Sequence, residues 1–333
     1  MSDLKDQVAS FSLDARVSIN EEQVGRVAAV IQRMPEAKPF DGGFLVSEFF
    51  PPEDSPVALD FFFVATLQQF GFWQTREGRY HRPLIAAIDG RELKGSSYLY
   101  YAYARKAAQD AGFFTPEHQA DLSEAEMLAL FRADDGQDPM PIIGLHLKQA
   151  RSYGTDMLAL GLTPQAIIAE CARASEPLKT FISFLDHIGG YQEDPLRKKN
   201  YLLALCLSKR PEAFLKPGND ETIPPIIDYH CMRFCLRTGI LEVSDPELKQ
   251  ALGNRQLVSE ADEWAVRYAS YLAVEQLVVA SGLSMGAVDN ITFNYTRSHC
   301  PELTVPVCAN CALSPVCRHQ VELFQPVFRT TYY

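Results

Sequence analysis

The sequence has no long apolar run and no apolar stretch at its beginning. A membrane-spanning helix needs about 18 consecutive apolar residues, and the chain contains no such run. Its first residues, "MSDLKDQVASFSLDARV", are polar and charged and do not have the pattern of a signal peptide. We therefore expect a cytoplasmic protein that does not enter a membrane.

Positive charge is scarce as well. The 31 lysines and arginines are outnumbered by 42 acidic residues, so the formal net charge is −11. A protein that binds the backbone of duplex DNA usually has a basic face, and this balance therefore disfavours DNA as the main ligand. With 47% hydrophobic residues, the 333-residue chain can bury a large core, in one large domain or two ordinary ones.

Cysteine is sparse through most of the chain and concentrated near its end. Four cysteines are scattered through apolar, helix-like stretches, which is typical of buried free thiols in a reducing compartment. These are Cys171, Cys206, Cys231 and Cys235. The other four fall within eighteen residues and have the spacing C-x7-C-x2-C-x5-C. These are Cys300, Cys308, Cys311 and Cys317.

Disulfides, zinc and an iron–sulfur cluster are the alternatives for the four clustered cysteines. Disulfides are disfavoured because we expect a reducing compartment. Zinc is usually held by two C-x2–4-C pairs, whereas this segment has one such pair and two single cysteines. A cluster held by four cysteines fits the spacing better. We therefore expect an iron–sulfur cluster of the 4Fe–4S type, with zinc as the alternative.

The periodicity of apolar residues predicts a mainly α-helical protein, with short strands only in stretches such as "GRYHRPLIAAI". Side chains suited to helix N-terminal caps precede several of the predicted helices. They are Asn20, Ser55, Ser123 and Thr163. A candidate linker, residues 132–141, suggests a division into three parts. These are an N-terminal helical part, 1–140, a catalytic part, 141–298, and a cysteine segment, 299–333.

The stretch "IPPIIDYHCMRFCLRTGIL" places a carboxylate at the beginning of a helix. Pro224 and Pro225 cannot continue a helix, so we expect the chain to arrive in an extended conformation. Asp228 then lies at the N-terminal cap, where backbone N–H groups and the helix dipole favour a negative charge. Position alone allows two roles for Asp228, a helix cap or a catalytic carboxylate. The same helix is predicted to end at Gly239.

Two parts of the chain resemble helix–hairpin–helix DNA glycosylases. The cysteine spacing resembles the iron–sulfur loop of the endonuclease III class, C-x6-C-x2-C-x5-C, with one more residue in the first gap. The Asp228 stretch resembles that family's V-D-x-H motif and the R-x-x-x-R-x-G helix after it. The resemblance implies a related helical fold and a catalytic Asp228. The family's hairpin is replaced here by "IGGYQEDPLRKKNYLLAL", where Lys199 stands near the position of the Schiff-base lysine of some members.

From about residue 18 to its end, the chain is similar to the queuosine salvage family, the queuosine 5′-phosphate N-glycosylases. "FFVATLQQFGFW" resembles that family's F-V-A-D-x-L-N-F-x-F-W, and "EWAVRYASYLAVEQL" resembles its E-V-E-I-R helix. Both end in two tyrosines. The resemblance implies that Asp228 is catalytic, that Phe72 and Trp73 belong to the wall of a nucleobase pocket, and that Glu263 and Arg267 form a structural ion pair.

The chain departs from the queuosine salvage pattern in two places. Thr66 and Gln69 replace an Asp and an Asn of the first motif, at positions that we expect to contact the base. The specificity for a 7-deazaguanine base is therefore in question. The cysteine segment is foreign to that family, so the chain combines the body of one family with the cluster loop of another.

Three functions follow as alternatives. The first is an N-glycosidase that hydrolyses a modified purine-like nucleotide or nucleoside, in which Asp228 stabilises an oxocarbenium-like sugar and orients water. Phe72, Trp73, Gln69 and Lys199 would then bind the substrate. Residues 195–240 carry a net charge of +4, which fits a phosphorylated nucleotide better than a long duplex. The alternatives are an iron–sulfur DNA glycosylase that flips out its base and a non-catalytic iron–sulfur binding or redox module.

Overall fold

Helices dominate the computed structural model, which describes residues 8, 10–34 and 45–333. Residues 1–7 and 9, which belong to the stretch in which we expect no signal peptide, lie outside the described residues. The helices of the described part are α1 (Glu21–Ile31), α2 (Ala58–Leu67), α3 (Ser96–Gln109), α4 (Pro116–Asp121), α5 (Glu124–Leu130), α6 (Ile143–Ala159), α7 (Pro164–Cys171), α8 (Pro177–Leu185), α9 (Lys198–Lys209), α10 (Tyr229–Thr238), α11 (Pro246–Gly253), α12 (Glu260–Ser281) and α13 (Met285–Ser298). The prediction of a mainly α-helical protein is confirmed.

Strands in the described residues form three short antiparallel pairs. They are β1 (Val17–Ile19) with β6 (Leu241–Val243), β2 (Trp73–Arg76) with β3 (Arg79–Pro83), and β4 (Ile85–Ile88) with β5 (Arg91–Lys94). The first pair joins distant parts of the chain, because Val17 lies opposite Val243. It therefore fixes the N-terminal segment beside the end of α10, the helix that begins after Asp228.

Most of the predicted helix caps are present. The side chains of Asn20, Ser123 and Thr163 accept hydrogen bonds from backbone N–H groups at the beginnings of α1, α5 and α7. Gly239 ends α10 with a φ of 80°, in the left-handed region that glycine adopts at no steric cost. Caps of this kind are local in sequence, which explains why they could be predicted.

The predicted start of α2 is wrong. This helix begins at Ala58 rather than at Pro56, and no side chain caps it. The carbonyl of Ser55 instead accepts a hydrogen bond from the Ala58 N–H in a turn, at 3.0 Å. Apolar side chains cover every side of α2, and the whole helix is nearly buried. A helix without a polar face gives no periodic signal from which its boundaries can be read.

Helix α12 packs against α1, α10 and α13. Within the described ranges no single helix is both long and apolar enough to cross a membrane. Helices α12 and α13 meet that test only when taken together, and they bend by 114° at their junction. Both contribute buried residues to the core, and α13 also contributes to the pocket described below.

Candidate active site

A pocket lies where α10 begins, bordered also by α3, α9 and α13. Its aromatic lining includes Phe72, Tyr100, Tyr229, Phe293 and Tyr333. Four charged side chains also line it. They are Asp228, Asp289, Lys198 and Arg297. An apolar wall with a few converging polar groups is the usual form of a small-molecule site.

Asp228 occupies the N-terminal cap of α10, as its sequence position predicts. Its Oδ1 accepts hydrogen bonds from the N–H groups of His230 and Cys231, at 2.7 and 3.1 Å. No hydrogen bond to Oδ2 is found within the described residues. One carboxylate oxygen therefore holds the helix end, while the other is available to a molecule in the pocket. The cap role and a chemical role are compatible in this geometry.

Asp289 is a second carboxyl group in the pocket, and no sequence motif points to it. Burial raises the pKa of Asp289 to about 7, and the negative charge of Asp228 adds to this effect while Lys198 opposes it. The two carboxyl groups come from α10 and α13, which are far apart in sequence. Because no local pattern connects them, only the fold reveals the pair.

Lys198, and not Lys199, is the lysine of the pocket. The buried Lys198 ammonium donates to the carbonyl of Gln69 at 3.3 Å. Burial lowers the pKa of Lys198, against the opposing charges of Asp228 and Asp289.

Lys199 points elsewhere, because neighbouring residues of a helix face different directions. Its ammonium donates to the carbonyl of Leu67 at 3.2 Å and lies 5.2 Å from the centre of the Phe70 ring. Burial lowers the pKa of Lys199 to about 7. The interpretation of Lys199 as a substrate-binding residue therefore disagrees with its position in the core, beside α2.

Gln69 and Phe72 line the pocket, but Trp73 does not. The Gln69 side chain is almost fully buried, and its Nε2 has no hydrogen-bond partner among the described residues. An unsatisfied donor of this kind is costly unless a ligand or water accepts from it. Trp73 packs instead with Tyr80, and the Arg329 guanidinium lies 4.0 Å from the centre of its ring. Trp73 therefore belongs to a separate apolar cluster rather than to the pocket wall.

A buried network of charges supports two walls of the pocket. Asp194 accepts two hydrogen bonds from Arg267, at 2.8 and 2.7 Å, and another from the backbone N–H of Lys198. The predicted ion pair of Glu263 with Arg267 is present at 3.9 Å. Glu263 also accepts a hydrogen bond from the hydroxyl of Tyr333 at 2.6 Å. The network thereby fixes the first turn of α9 and the last residue of the chain.

Thr66, the other replaced position of the first motif, is buried within α2 and does not line the pocket. Thr66 lies within α2, one residue before its end, whereas Gln69 lies beyond the end of α2. The two departures from the queuosine salvage pattern thus differ in their access to a ligand.

The four clustered cysteines lie in one half-buried loop after α13. Burial raises the pKa of Cys317, and the charges of Cys300, Cys311 and Cys308 raise it further, which indicates that the thiols are electrostatic neighbours. The Arg237 guanidinium donates to the carbonyl of Cys300 at 3.1 Å. Four thiols are a set of ligands that fits a thiolate-bound metal centre, and a buried guanidinium lies beside them.

The cysteine loop does not form a closed ligand cage. Within the part of the chain that the structure describes, no group of three or more His, Cys, Asp or Glu side chains is arranged so that it could hold a metal ion. The chemistry of the donors therefore fits a metal centre, whereas their arrangement among the described residues is not one that would hold a metal ion.

No protein-family model matches the chain, and no curated protein shows significant similarity to it.

Proposed function

We propose that this protein is an N-glycosidase that releases a modified purine-like base from a nucleotide or nucleoside of the queuosine 5′-phosphate kind. The proposal includes a helix–hairpin–helix glycosylase-like fold and a cytoplasmic location. The observation that carries it is the pair of Asp228 and Asp289 beside Lys198 in an aromatic pocket. Asp289 is a buried carboxyl group with a raised pKa, and Asp228 accepts two backbone N–H bonds at a helix N-terminus. A carboxylic acid that can donate a proton, placed in one pocket with a second carboxyl group, is the arrangement that acid–base cleavage of a glycosidic bond uses.

In the proposed reaction Asp228 is ionised and Asp289 is protonated. The C1′–N bond breaks and its electron pair goes to the base, which receives the Asp289 proton. The charge of Asp228 stabilises the developing oxocarbenium ion. Water held by Asp228 adds to C1′ and passes its proton to that carboxylate, from which it returns to solvent. Asp289 takes up a proton from solvent, which restores both carboxyl groups to their starting states.

The remaining lining supports substrate binding. Phe72 and Phe293 offer faces on which a base stacks, and Gln69 offers a free amide N–H. Arg297, whose guanidinium carbon lies 5.0 Å from the centre of the Phe293 ring, supplies a positive charge for a phosphate. The pocket therefore contains groups for the base, the sugar and the phosphate.

We further propose that Cys300, Cys308, Cys311 and Cys317 hold a 4Fe–4S cluster, with zinc as the alternative. When bound, the cluster supplies a cross-link between the thiolates of the loop. Arg237 and Arg233, which both donate to the Cys300 carbonyl, attach that loop to α10.

Base release is the direct test. Single-turnover reactions with queuosine 5′-monophosphate, 7-deazaguanosine 5′-monophosphate and guanosine 5′-monophosphate are analysed by mass for free base. We expect release from at least one of them. Release only from damaged duplex DNA, with salt-sensitive binding, would instead identify a DNA glycosylase, and no release from any substrate would favour a binding or redox module.

The rate of base release is expected to fall as the pH rises through about 7. Asp289 has a raised pKa of about 7, so it is protonated below that pH and loses the proton above it. Replacing Asp289 with Asn should slow release by about a hundredfold, the lower range for general acid catalysis, and should remove this pH dependence. The pH profile of single-turnover rates measures both effects.

Asp60 provides a matched control for Asp289. Burial also raises the pKa of this carboxyl, but it lies on α2, bonded to Gln165, and outside the pocket. Asp60→Asn should leave the pH profile unchanged. A wild-type rate that rises through pH 7 would show that Asp289 acts as a base and not as an acid.

Protein purified without oxygen should be brown and contain about four iron and four sulfide ions per chain. Cys308→Ala should lose this centre and make the C-terminal segment more sensitive to proteolysis, because metal binding is coupled to local folding. Cys171→Ala, a buried thiol outside the loop, should retain it. Colourless protein with one zinc ion per chain would contradict the iron–sulfur assignment.

A further inference from the structure

His230 lines the pocket, and its ring contacts a buried arginine of the same helix. Arg233 is fully buried, and its Nη2 lies 3.1 Å from Nδ1 of His230. The hydroxyl oxygen of Thr296 lies 3.0 Å from the same nitrogen. His230 and Arg233 are three residues apart on α10, which brings their side chains to one face of the helix.

This contact determines which ring nitrogen carries hydrogen. Guanidinium groups only donate hydrogen bonds, so Nδ1 of His230 must accept. Burial and the charge of Arg233 hold the pKa of His230 well below its usual range, so the ring is neutral. A neutral imidazole has one N–H, which is then on Nε2. No described residue accepts a hydrogen bond from Nε2.

The orientation of Arg233 is itself fixed from several sides. Its Nε donates to the carbonyl of Cys300 at 3.1 Å, and its Nη1 donates to the side chain of Gln325 at 2.7 Å. Glu302 balances its charge at 3.8 Å. A planar guanidinium held at three nitrogens has little freedom to rotate, and a lysine cannot reproduce this geometry.

We propose that Arg233 is a positioning residue, which holds His230 so that its Nε2–H donates a hydrogen bond to an acceptor atom of the bound base. The inference rests on the proposed function for the identity of the ligand. The tautomer of His230 is a property of the protein alone, so it can be tested whether or not the glycosidase activity exists. Arg233 also connects the pocket to the cysteine loop, because the same guanidinium contacts Cys300 and His230.

Arg237 offers a matched control on the same helix. It is equally buried and also donates to the Cys300 carbonyl, at 3.1 Å, but its other contacts are with Leu323 and Pro301 and none is with His230. Arg233→Lys and Arg237→Lys therefore both remove a guanidinium that fastens the cysteine loop. Only the first removes the guanidinium that contacts Nδ1 of His230.

The decisive measurement is the ¹⁵N chemical shifts of histidine-labelled protein, with the His230 signals assigned from their loss in His230→Gln. Wild type and Arg237→Lys should show the Nε2–H form of His230, whereas Arg233→Lys should show a mixture with the Nδ1–H form. An Nδ1–H form in wild type overturns the proposal, even if the lysine variants fail to fold. An unchanged Nε2–H form in folded Arg233→Lys overturns it as well.

A second arm uses base release from queuosine 5′-monophosphate. Arg233→Lys should lower kcat/KM by about tenfold, the value of one buried hydrogen bond. His230→Gln keeps an amide donor near the Nε2 position and no longer depends on Arg233, so adding Arg233→Lys to it should change the rate less than about twofold. If the double variant lowers kcat/KM by the product of the two single-variant effects, Arg233 does not act through His230. No release by wild type would refute the proposed function, and the tautomer would still decide the role of Arg233.

Discussion

Replacing Asp228 with Asn is expected to slow base release by about a hundredfold or more, the effect of removing one electrostatic stabiliser of a transition state. The variant keeps the size of the side chain and an oxygen that can accept from His230 and Cys231. It removes the negative charge that stabilises the sugar in the proposed reaction. Binding of the nucleotide should persist, because stacking and phosphate contacts do not require that charge. Single-turnover rates and equilibrium binding measure the two effects separately.

Asp245 is the control for a structural effect at a helix cap. Its carboxylate accepts a hydrogen bond from the Leu248 N–H at 2.7 Å at the start of α11, away from the pocket. Asp245→Asn should therefore cost a similar, small amount of stability and leave the rate unchanged. Equal rates for wild type and Asp228→Asn would remove Asp228 from the mechanism and leave it as a cap.

Replacing Asp194 with Asn should lower the free energy of unfolding by about 3–5 kcal/mol, the range for breaking one partner of a buried ion pair. The Arg267 guanidinium would then remain buried with only the more distant Glu263 carboxylate, at 3.9 Å. The first turn of α9 would also lose part of its cap, because Asp194 accepts from the Lys198 N–H. Urea unfolding followed by circular dichroism measures this difference.

Lowering the pH should reduce the difference in free energy of unfolding between wild type and Asp194→Asn. Arg267 and backbone hydrogen bonds outweigh burial and hold the pKa of Asp194 below its usual 3.8. The stabilisation is therefore fully present at neutral pH and is lost as the pH falls through that lowered value.

Asp14 is a matched control, since it also forms a two-pronged pair with an arginine, Arg16, but about a third of each side chain is exposed. Asp14→Asn should cost no more than about 1 kcal/mol. Equal losses for Asp14→Asn and Asp194→Asn would mean that the buried network does not support the fold.

The features that sequence reasoning located correctly are mostly local. Asp228 follows two prolines and precedes a helix that ends at Gly239, and each of these signals lies within a few residues. The Glu263 and Arg267 pair lies four residues apart on one helix. Such patterns can be read directly because hydrogen bonds and helix geometry impose them over short distances.

The composition of the pocket could be predicted only in part. Gln69 and Phe72 were identified through a motif and line the pocket, but Trp73, one residue further on, begins β2 and faces another cluster. Lys198 and Lys199 are adjacent in sequence and point in different directions. A motif identifies a neighbourhood, whereas the direction of each side chain depends on the backbone that carries it.

The sequence by itself determined a mainly helical chain, the cap at Asp228 and a group of four cysteines near the end. The tertiary structure alone placed Asp289 in the same pocket as Asp228 and put Arg233 behind His230, in contact with the cysteine loop. The physical reason is that helix caps and ligand spacing are imposed by bonding along the chain. Burial of apolar surface instead brings together α10, α13 and the C-terminal residue. These segments are distant in sequence, and no short sequence pattern predicts that they meet.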